Sequence, residues 1–231
     1  MVCTTDPNLG GEGVAFIYVP AGTPGLSFGK PEEKMGMKLT DVNAAIYFDN
    51  VRVPKEYRAS LEPGVDWRLL LNALSWGRLT SAPMSIGNAQ AVLEIVMEYT
   101  GGRFYRGKEV RNHSLQAAML ADMAIAVESA RAYYLHVSAM FNNRAKYGNP
   151  GDPFLMSKAS AAKVYAADVA EMVCNKAMEL MGSYGYAREF HVEKYLRDSK
   201  IIQLWEGGAQ LARLDVARGY YPYDPHESGK G

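Results

Sequence analysis

Cysteine is scarce in this chain, with two residues among 231, Cys3 and Cys174. Their spacing fits neither a disulfide framework nor a zinc site, so we expect two ordinary thiols. Neither sign of charge prevails, because 25 Lys and Arg balance 25 Asp and Glu, which argues against nucleic acid and membrane surfaces as partners. No apolar run approaches the roughly 20 residues of a membrane span. The first residues show neither a basic nor an apolar signal-peptide region, so we expect a cytoplasmic protein.

Motifs for metals and nucleotides are also missing. The histidines show no ligand spacing, so we expect no metal site; they are His113, His136, His191 and His226. The segment Gly102–Lys108 carries the G-x4-G-K part of a phosphate-binding loop, but Glu109 replaces the Ser or Thr that would coordinate magnesium. The glycine-rich segment at 10–13 precedes a strand instead of opening a helix, which predicts a turn and not a dinucleotide fingerprint.

The pattern of the chain changes near residue 60. Before it, short β-type runs at Val14–Val19 and Ala44–Phe48 alternate with loops rich in Gly and Pro. After it, apolar residues recur at helical spacing, as they do at Ile86, Ala89, Leu93, Val96 and Met97. We therefore predict a mainly α protein, with an antiparallel four-helix bundle over residues 61–231 and a partial antiparallel β-domain over residues 1–60.

Capping residues and glycines set the expected ends of the helices. The helices are predicted over about 66–100, from Asn112 or Ser114 to Gly148, from Asp152 to Gly182 or Gly185, over about 191–199 and over 206–219. The predicted apolar stripe of the second helix consists of Leu115, Met119, Met123 and Ala126. By contrast, two or three short strands before residue 60 would leave unpaired edges and bury little area. We therefore expect upstream sequence, or another polypeptide, to complete the β-domain.

One carboxylate has an unusual setting. Glu206 lies between an apolar run that ends at Trp205 and a glycine pair, Gly207 and Gly208, that opens a predicted helix. A carboxylate among apolar groups loses solvation and becomes a stronger base. A carboxylate at a helix N-terminus is also a common feature that the helix dipole stabilises, without any catalytic role. On the residues alone, both interpretations stay open.

An ordered set of short motifs resembles the acyl-CoA dehydrogenase family. Each motif alone is weak, whereas their order and spacing are specific, and together they cover the chain up to about Tyr221. The motifs are Met35–Asp41, Phe48–Pro54, Arg103–Lys108, Leu120–Met123, Met181–Tyr186, Tyr195–Asp198 and Trp205–Gly207. The resemblance implies the second half of the family's middle β-domain followed by its C-terminal four-helix domain.

The resemblance also implies an activity. Members of the family use FAD to convert an acyl-CoA thioester into a 2-enoyl-CoA: a carboxylate removes the α-proton, and the β-hydrogen leaves as hydride to flavin N5. Glu206 corresponds to the family's base, whose own backbone N–H hydrogen-bonds the thioester carbonyl. Gly207 would let the backbone approach the substrate, and Trp205 would shape the acyl pocket.

Some relatives place the base on the first long helix, just before an arginine that Arg78 resembles. The neighbouring positions here are Trp76 and Gly77, and neither side chain can accept a proton. Glu206 is therefore left without a rival. Arg78 itself resembles a residue near the CoA moiety, where a guanidinium pairs with phosphate or amide oxygens. A surface ion pair remains the alternative for Arg78.

The resemblance assigns cofactor contacts at two further motifs. Arg103 matches an arginine that binds the FAD pyrophosphate across a subunit interface, although Arg106 replaces the phenylalanine of that motif. Glu179, Gly182 and Ser183 match the family's Gln-x-x-Gly-Gly, with a carboxylate in place of the amide.

Three more positions match cofactor contacts. Gln210 and His113 correspond to residues near FAD, although an ordinary place on a helix surface is equally open for both. Gly208 replaces a threonine that commonly touches the cofactor.

The implied partners are an acyl-CoA, electron-transfer flavoprotein as electron acceptor, and a homo- or hetero-tetramer. Trp205, together with the small residues Gly208 and Ala209, leaves a pocket that suits a bulky or cyclic acyl group. Three alternatives stay open: an acyl-CoA oxidase that uses oxygen, a non-catalytic subunit of a heteromeric dehydrogenase, and a plain helical interaction module.

Overall fold

The computed structural model describes residues 1–40 and 42–221. They form two compact units, one from Met1 to Ala73 and one that begins at Leu74. The domain boundary expected between residues 60 and 61 stays a prediction, while the change from strand to helix occurs at Val65, where the first long helix begins.

The first unit contains two small antiparallel sheets. Strand β1 (Val2–Thr4) pairs with β2 (Val14–Phe16), and β3 (Leu26–Phe28) pairs with β4 (Ile46–Phe48). Both predicted β-type runs contain a strand, but each strand is shorter than its run, and β1 and β3 were not predicted. The side chains of β4 are all exposed, as expected for a two-stranded sheet with open edges.

The second unit is built from helices, and the first of them begins in the preceding unit. Seven α-helices are present in the described residues: α1 (Val65–Gly102), α2 (Ser114–Phe141), α3 (Arg144–Tyr147), α4 (Pro153–Met181), α5 (Ser183–Tyr186), α6 (Val192–Leu204) and α7 (Gly208–Arg218). The mainly α fold with a helical bundle is thus confirmed.

Two predicted helix ranges were wrong in detail. The second helix does not continue to Gly148, because it ends at Phe141 and the chain resumes as the separate helix α3 after Asn143, whose φ and ψ are not helical. The helix predicted over about 191–199 is α6, which extends beyond residue 199 to Leu204. The backbone N–H of Trp205 still donates to Ile201 O at 2.9 Å.

The core lies between α1, α2 and α4. Sixteen of the 29 residues of α4 are buried, and small side chains such as Ala159, Ala166 and Ala170 allow its neighbours to approach closely. On α2 the buried stripe begins at Leu120. The prediction that Leu115 belongs to this stripe was wrong, since its side chain is 69% exposed in the first turn of the helix.

Within the described residues, no helix is long and apolar enough to cross a membrane. The same residues contain no group of three or more His, Cys, Asp and Glu side chains that could hold a metal ion. Both cysteines are free thiols, as expected. Burial raises the pKa of Cys174 to about 12, so its thiol stays protonated at physiological pH.

Candidate active site

The turn between α6 and α7 has an uncommon backbone. Three consecutive residues have positive φ angles: Glu206 (54°), Gly207 (88°) and Gly208 (71°). Glycine adopts this region freely, whereas a glutamate does so at a cost in free energy. Strained non-glycine residues of this kind concentrate at functional sites. Glu206, which the sequence predicts as the base, is one of five non-glycine residues with a positive φ among the described residues, and it is the one that two glycines with positive φ follow directly.

The carboxylate of Glu206 lies against the backbone of α1 at Gly77. A Cβ atom on Gly77 would come within 2.6 Å of Glu206 Oε2 and 2.7 Å of Oε1 and Cδ. A side chain at position 77 would therefore displace the carboxylate, and the glycine leaves room for it. Sequence reasoning considered Gly77 only as a position that cannot accept a proton.

Arg78, the next residue on α1, contacts the turn that carries Glu206. Its side chain is 3% exposed and forms an ion pair with Asp215 (Nη1 to Oδ2, 2.5 Å). It also donates to Ser160 Oγ at 2.8 Å and to the backbone O of Glu206 at 3.2 Å. The predicted contact of Arg78 with CoA stays a prediction, whereas these contacts within the chain fix the backbone of Glu206.

Lys163 is a site residue that sequence reasoning missed. Its side chain is fully buried in α4, and its ammonium donates to the backbone O of Trp205 at 3.0 Å. Burial lowers the pKa of Lys163, and the charge of Arg78 lowers it further, whereas Glu206 and Asp168 act in the opposite direction. A signal was present, because a single lysine interrupts an alanine-rich buried face, and a fully buried lysine is rare without a partner.

Polar contacts attach the two helices that flank the turn to α4. Asp168 on α4 accepts a hydrogen bond from Gln203 on α6 at 2.9 Å and one from Arg213 on α7 at 2.5 Å. Lys200 on α6 pairs with Glu171 on α4 at 3.0 Å. These contacts hold the ends of α6 and α7 on α4, and so the turn that carries Glu206.

Donors at the turn remain available for a ligand. The indole Nε1 of Trp205 is buried and has no partner among the described residues. Within residues 1–40 and 42–221, the backbone N–H groups of Glu206 and Gly207 also have no acceptor. Gln210 is exposed on α7. The predicted substrate and cofactor contacts of these residues stay predictions.

The other predicted cofactor residues form a separate cluster at the far end of α1. Arg103 follows the helix, and its guanidinium lies 5.2 Å from the ring centre of Tyr184. Beside it is a cavity of about 580 Å³, whose lining includes Tyr99, Arg103, Tyr184 and Phe190. Gly182 and Ser183 directly precede Tyr184 and are exposed, as is Glu179 on the last turn of α4.

His113 joins this cluster through a small hairpin. Strands β5 (Phe104–Tyr105) and β6 (Lys108–Glu109) pair with each other, and Arg106 and Gly107 form the turn with positive φ angles. His113 Nε2 lies 2.9 Å from the backbone O of Tyr105. The segment with the partial phosphate-loop pattern is thus a β-hairpin. Its two-residue turn has positive φ at both positions, which is typical of tight hairpin turns. The guanidinium of Arg106 lies 5.3 Å from the ring centre of Tyr105.

The two clusters are far apart. Gly102 is the last residue of α1 and Gly77 lies 25 residues before it on the same helix, which at about 1.5 Å per residue separates them by roughly 37 Å. One group contains Glu206, Gly207, Gly208 and Trp205 with Arg78, and the other contains Arg103, His113, Gly182 and Ser183. The two groups of predicted site residues therefore lie apart within one chain.

A family profile described as "Acyl-CoA dehydrogenase, C-terminal domain" matches residues 67–221. The chain belongs to the acyl-CoA dehydrogenase family. A similar relative is the cyclohex-1-ene-1-carbonyl-CoA dehydrogenase of Geobacter metallireducens, with 34% identity over 93% of this chain and 54% of the relative.

Two solved structures resemble the chain closely. The butyryl-CoA dehydrogenase of Megasphaera elsdenii matches with a TM-score of 0.83 and 31% identity, over 94% of this chain and 54% of that one. A chain from the structure of the electron transferring flavoprotein of Acidaminococcus fermentans matches with a TM-score of 0.86 and 32% identity, over 96% of this chain and 56% of that one. The chain thus spans about half the length of the relatives it matches.

Proposed function

We propose that this chain supplies the base and part of the cofactor site of an FAD-dependent acyl-CoA dehydrogenase that converts an acyl-CoA into a 2-enoyl-CoA. The observation that supports this function is the setting of Glu206. Its carboxylate lies in the space left by Gly77, on a strained turn backed by the buried cations Arg78 and Lys163. A fixed carboxylate of this kind suits proton abstraction next to a carbonyl.

Glu206 has two tasks in this proposal. Its carboxylate takes the α-proton of the thioester. Its backbone N–H, which is unpaired within the described residues, donates to the thioester oxygen, where negative charge develops as the proton leaves. Gly207 has no side chain to obstruct the substrate, and the indole of Trp205 lies next to the base.

The second cluster fits the adenine half of FAD. The Arg103 guanidinium suits a pyrophosphate, and the aromatic rings of Tyr99, Tyr184 and Phe190 around the cavity suit a flat base. We infer that Arg103 and His113 hold that half with Glu179, Gly182 and Ser183, and that Gly208 and Gln210 contact the flavin side. When bound, FAD supplies the hydride acceptor at flavin N5.

The distance between the clusters supports an oligomer. Gly77 and Gly102 lie roughly 37 Å apart along α1, a separation that favours contacts to one FAD from two chains. We infer that the FAD contacted by Arg103 of one chain serves Glu206 of another, as expected for a homo- or hetero-tetramer. A polypeptide or upstream segment that completes the β-domain would supply the remaining cofactor contacts.

The acyl group and the electron acceptor are inferred from the relatives. The relative from Geobacter metallireducens is named for a cyclic acyl-CoA, which agrees with the pocket predicted from Trp205, Gly208 and Ala209. The match to a chain from the electron transferring flavoprotein structure supports that kind of acceptor. Reduction of electron-transfer flavoprotein, in place of peroxide formation in air, distinguishes a dehydrogenase from an oxidase.

The test is to purify the complete assembly, measure its flavin content and titrate it with acyl-CoAs of straight and cyclic shape. Glu206→Gln should keep FAD and bind acyl-CoA, yet bleach the flavin about 100-fold to 10,000-fold more slowly, because the base is lost. Normal bleaching by this variant would refute the assignment of the base. Turnover of short straight chains alone would refute the cyclic acyl group.

A further inference from the structure

Lys163 bonds to the peptide group whose N–H belongs to Glu206. The Trp205 carbonyl and the Glu206 N–H are the two ends of one planar peptide unit, which resonance couples. That carbonyl accepts two hydrogen bonds, one from the Lys163 ammonium at 3.0 Å and one from the Gly208 N–H at 2.9 Å. The opposite end, the Glu206 N–H, has no acceptor within residues 1–40 and 42–221.

Hydrogen bonds in a chain strengthen one another, by about 10–30% per bond, because each bond polarises the next donor. A positively charged donor polarises a carbonyl more strongly than a neutral donor does. Burial keeps water from screening that charge. The ammonium of Lys163 is fully buried, so its field acts on the Trp205 carbonyl directly. The expected consequence is a Glu206 N–H that carries more positive charge.

We propose that Lys163 is a positioning residue that polarises the Trp205–Glu206 peptide and thereby strengthens the hydrogen bond from the Glu206 N–H to the thioester oxygen. This inference rests on the proposed function, since it needs a thioester beside Glu206. Its physical meaning is that the buried lysine stabilises the charge on the substrate oxygen without contacting the substrate.

The probe is but-2-enoyl-CoA, a ligand of the 2-enoyl product type that binds without being oxidised further, with ¹³C at the thioester carbonyl. Difference infrared spectroscopy of the complete flavin-loaded enzyme then reports how strongly the carbonyl is polarised. We expect a shift to lower frequency in the wild-type enzyme and a clearly smaller shift in Lys163→Met. Flavin bleaching by substrate should slow by roughly tenfold, less than the about 100-fold effect of removing an oxyanion donor altogether.

Two further variants separate polarisation from simple support of the turn. Lys163→Gln keeps a donor but loses the charge, so its carbonyl shift should lie between those of Lys163→Met and the wild type. Lys158→Met removes a lysine from the same helix whose ammonium lies over the rings of Phe154 and Tyr220, and it should leave the shift unchanged.

A wild-type carbonyl shift in Lys163→Met overturns the proposal. If Lys163→Met loses its flavin, the carbonyl shift of Lys163→Gln becomes the test. A wild-type shift in Lys163→Gln then overturns the proposal. Failure of the proposed function is a separate result, because it would show as normal bleaching by Glu206→Gln in an enzyme whose Lys163 is intact.

Discussion

The carboxylate of Glu206 occupies the space that a side chain at Gly77 would fill. All three carboxylate atoms lie 2.6–2.7 Å from the position of a Cβ on Gly77. Positions 77 and 206 are distant in sequence, yet their side chains would occupy the same space. A side chain at position 77 would therefore have to displace that of Glu206. This relationship gives a direct test of the site.

Replacing Gly77 with alanine should displace the carboxylate of Glu206, which is the flexible end of its side chain. Because the added methyl group would take the place of the carboxylate, we expect flavin bleaching by acyl-CoA to slow by about 100-fold, the scale of a misplacement of about 1 Å. Rapid-mixing measurements of flavin absorbance check this result. The control is Gly87→Ala on the same helix, where a Cβ meets nothing within 4 Å. That variant should keep full activity, and equal activity of both variants would contradict the steric argument.

Moving the base across the shared volume should restore part of the activity. In the double variant Gly77→Glu with Glu206→Gly, a carboxylate reaches the same region from α1, while position 206 becomes a residue that favours positive φ. We expect faster bleaching than in Glu206→Gly alone. Equal bleaching rates in these two variants would show that a carboxylate at position 77 cannot act as the base.

Arg78 should contribute strongly to stability. Its guanidinium is 3% exposed and pairs with Asp215, so Arg78→Met leaves a partly buried carboxylate with only the longer ion pair to Arg218 at 3.7 Å. We expect a loss of about 3–5 kcal/mol in the free energy of unfolding, measured by urea denaturation. The matched control is Arg213→Met, whose ion pair with Asp168 is about half exposed and should contribute less than about 1 kcal/mol. Equal losses in the two variants would contradict the role of burial.

Lys163 should make stability depend on pH. Because burial lowers the pKa of Lys163 in the folded chain, the unfolded state binds more protons between that lowered pKa and the ordinary value of about 10.4. Stability of the wild-type protein therefore rises with pH across this window relative to Lys163→Met. We expect the difference in melting temperature, variant minus wild type, to decrease as the pH rises through this window toward about 10.4. A difference that does not change with pH would contradict the lowered pKa.

Mixed oligomers should regain activity that neither parent has. Arg103→Ala damages the proposed cofactor site and Glu206→Gln removes the base, and the two sites lie roughly 37 Å apart along α1. If each FAD uses Arg103 of one chain and Glu206 of another, co-expression of both variants creates some sites with both residues intact. Activity of the mixture, measured as acyl-CoA turnover per flavin, should exceed that of each variant alone. Activity no higher than the mean of the two parents would refute the shared site.

Much of the fold could be predicted because it depends on local signals. The glycine after Met181 and the proline that opens α4 mark helix ends, and the apolar periodicity of α1 predicts its buried face. Strands β1 and β3 were missed because a strand of three residues has no distinct pattern until its partner is known. The end of α2 at Phe141 was missed because no glycine or proline marks it.

The amino-acid sequence by itself determined the family and the candidate base, because ordered motifs and the setting of Glu206 between Trp205 and Gly207 can be read along the chain. Only the tertiary structure decided what surrounds that base. The space at Gly77, the ion pair of Arg78 and the contact of Lys163 with the Trp205 carbonyl exist because α1, α4 and α6 pack together. Steric fit and the burial of charge depend on such packing, and residues distant in sequence do not reveal it.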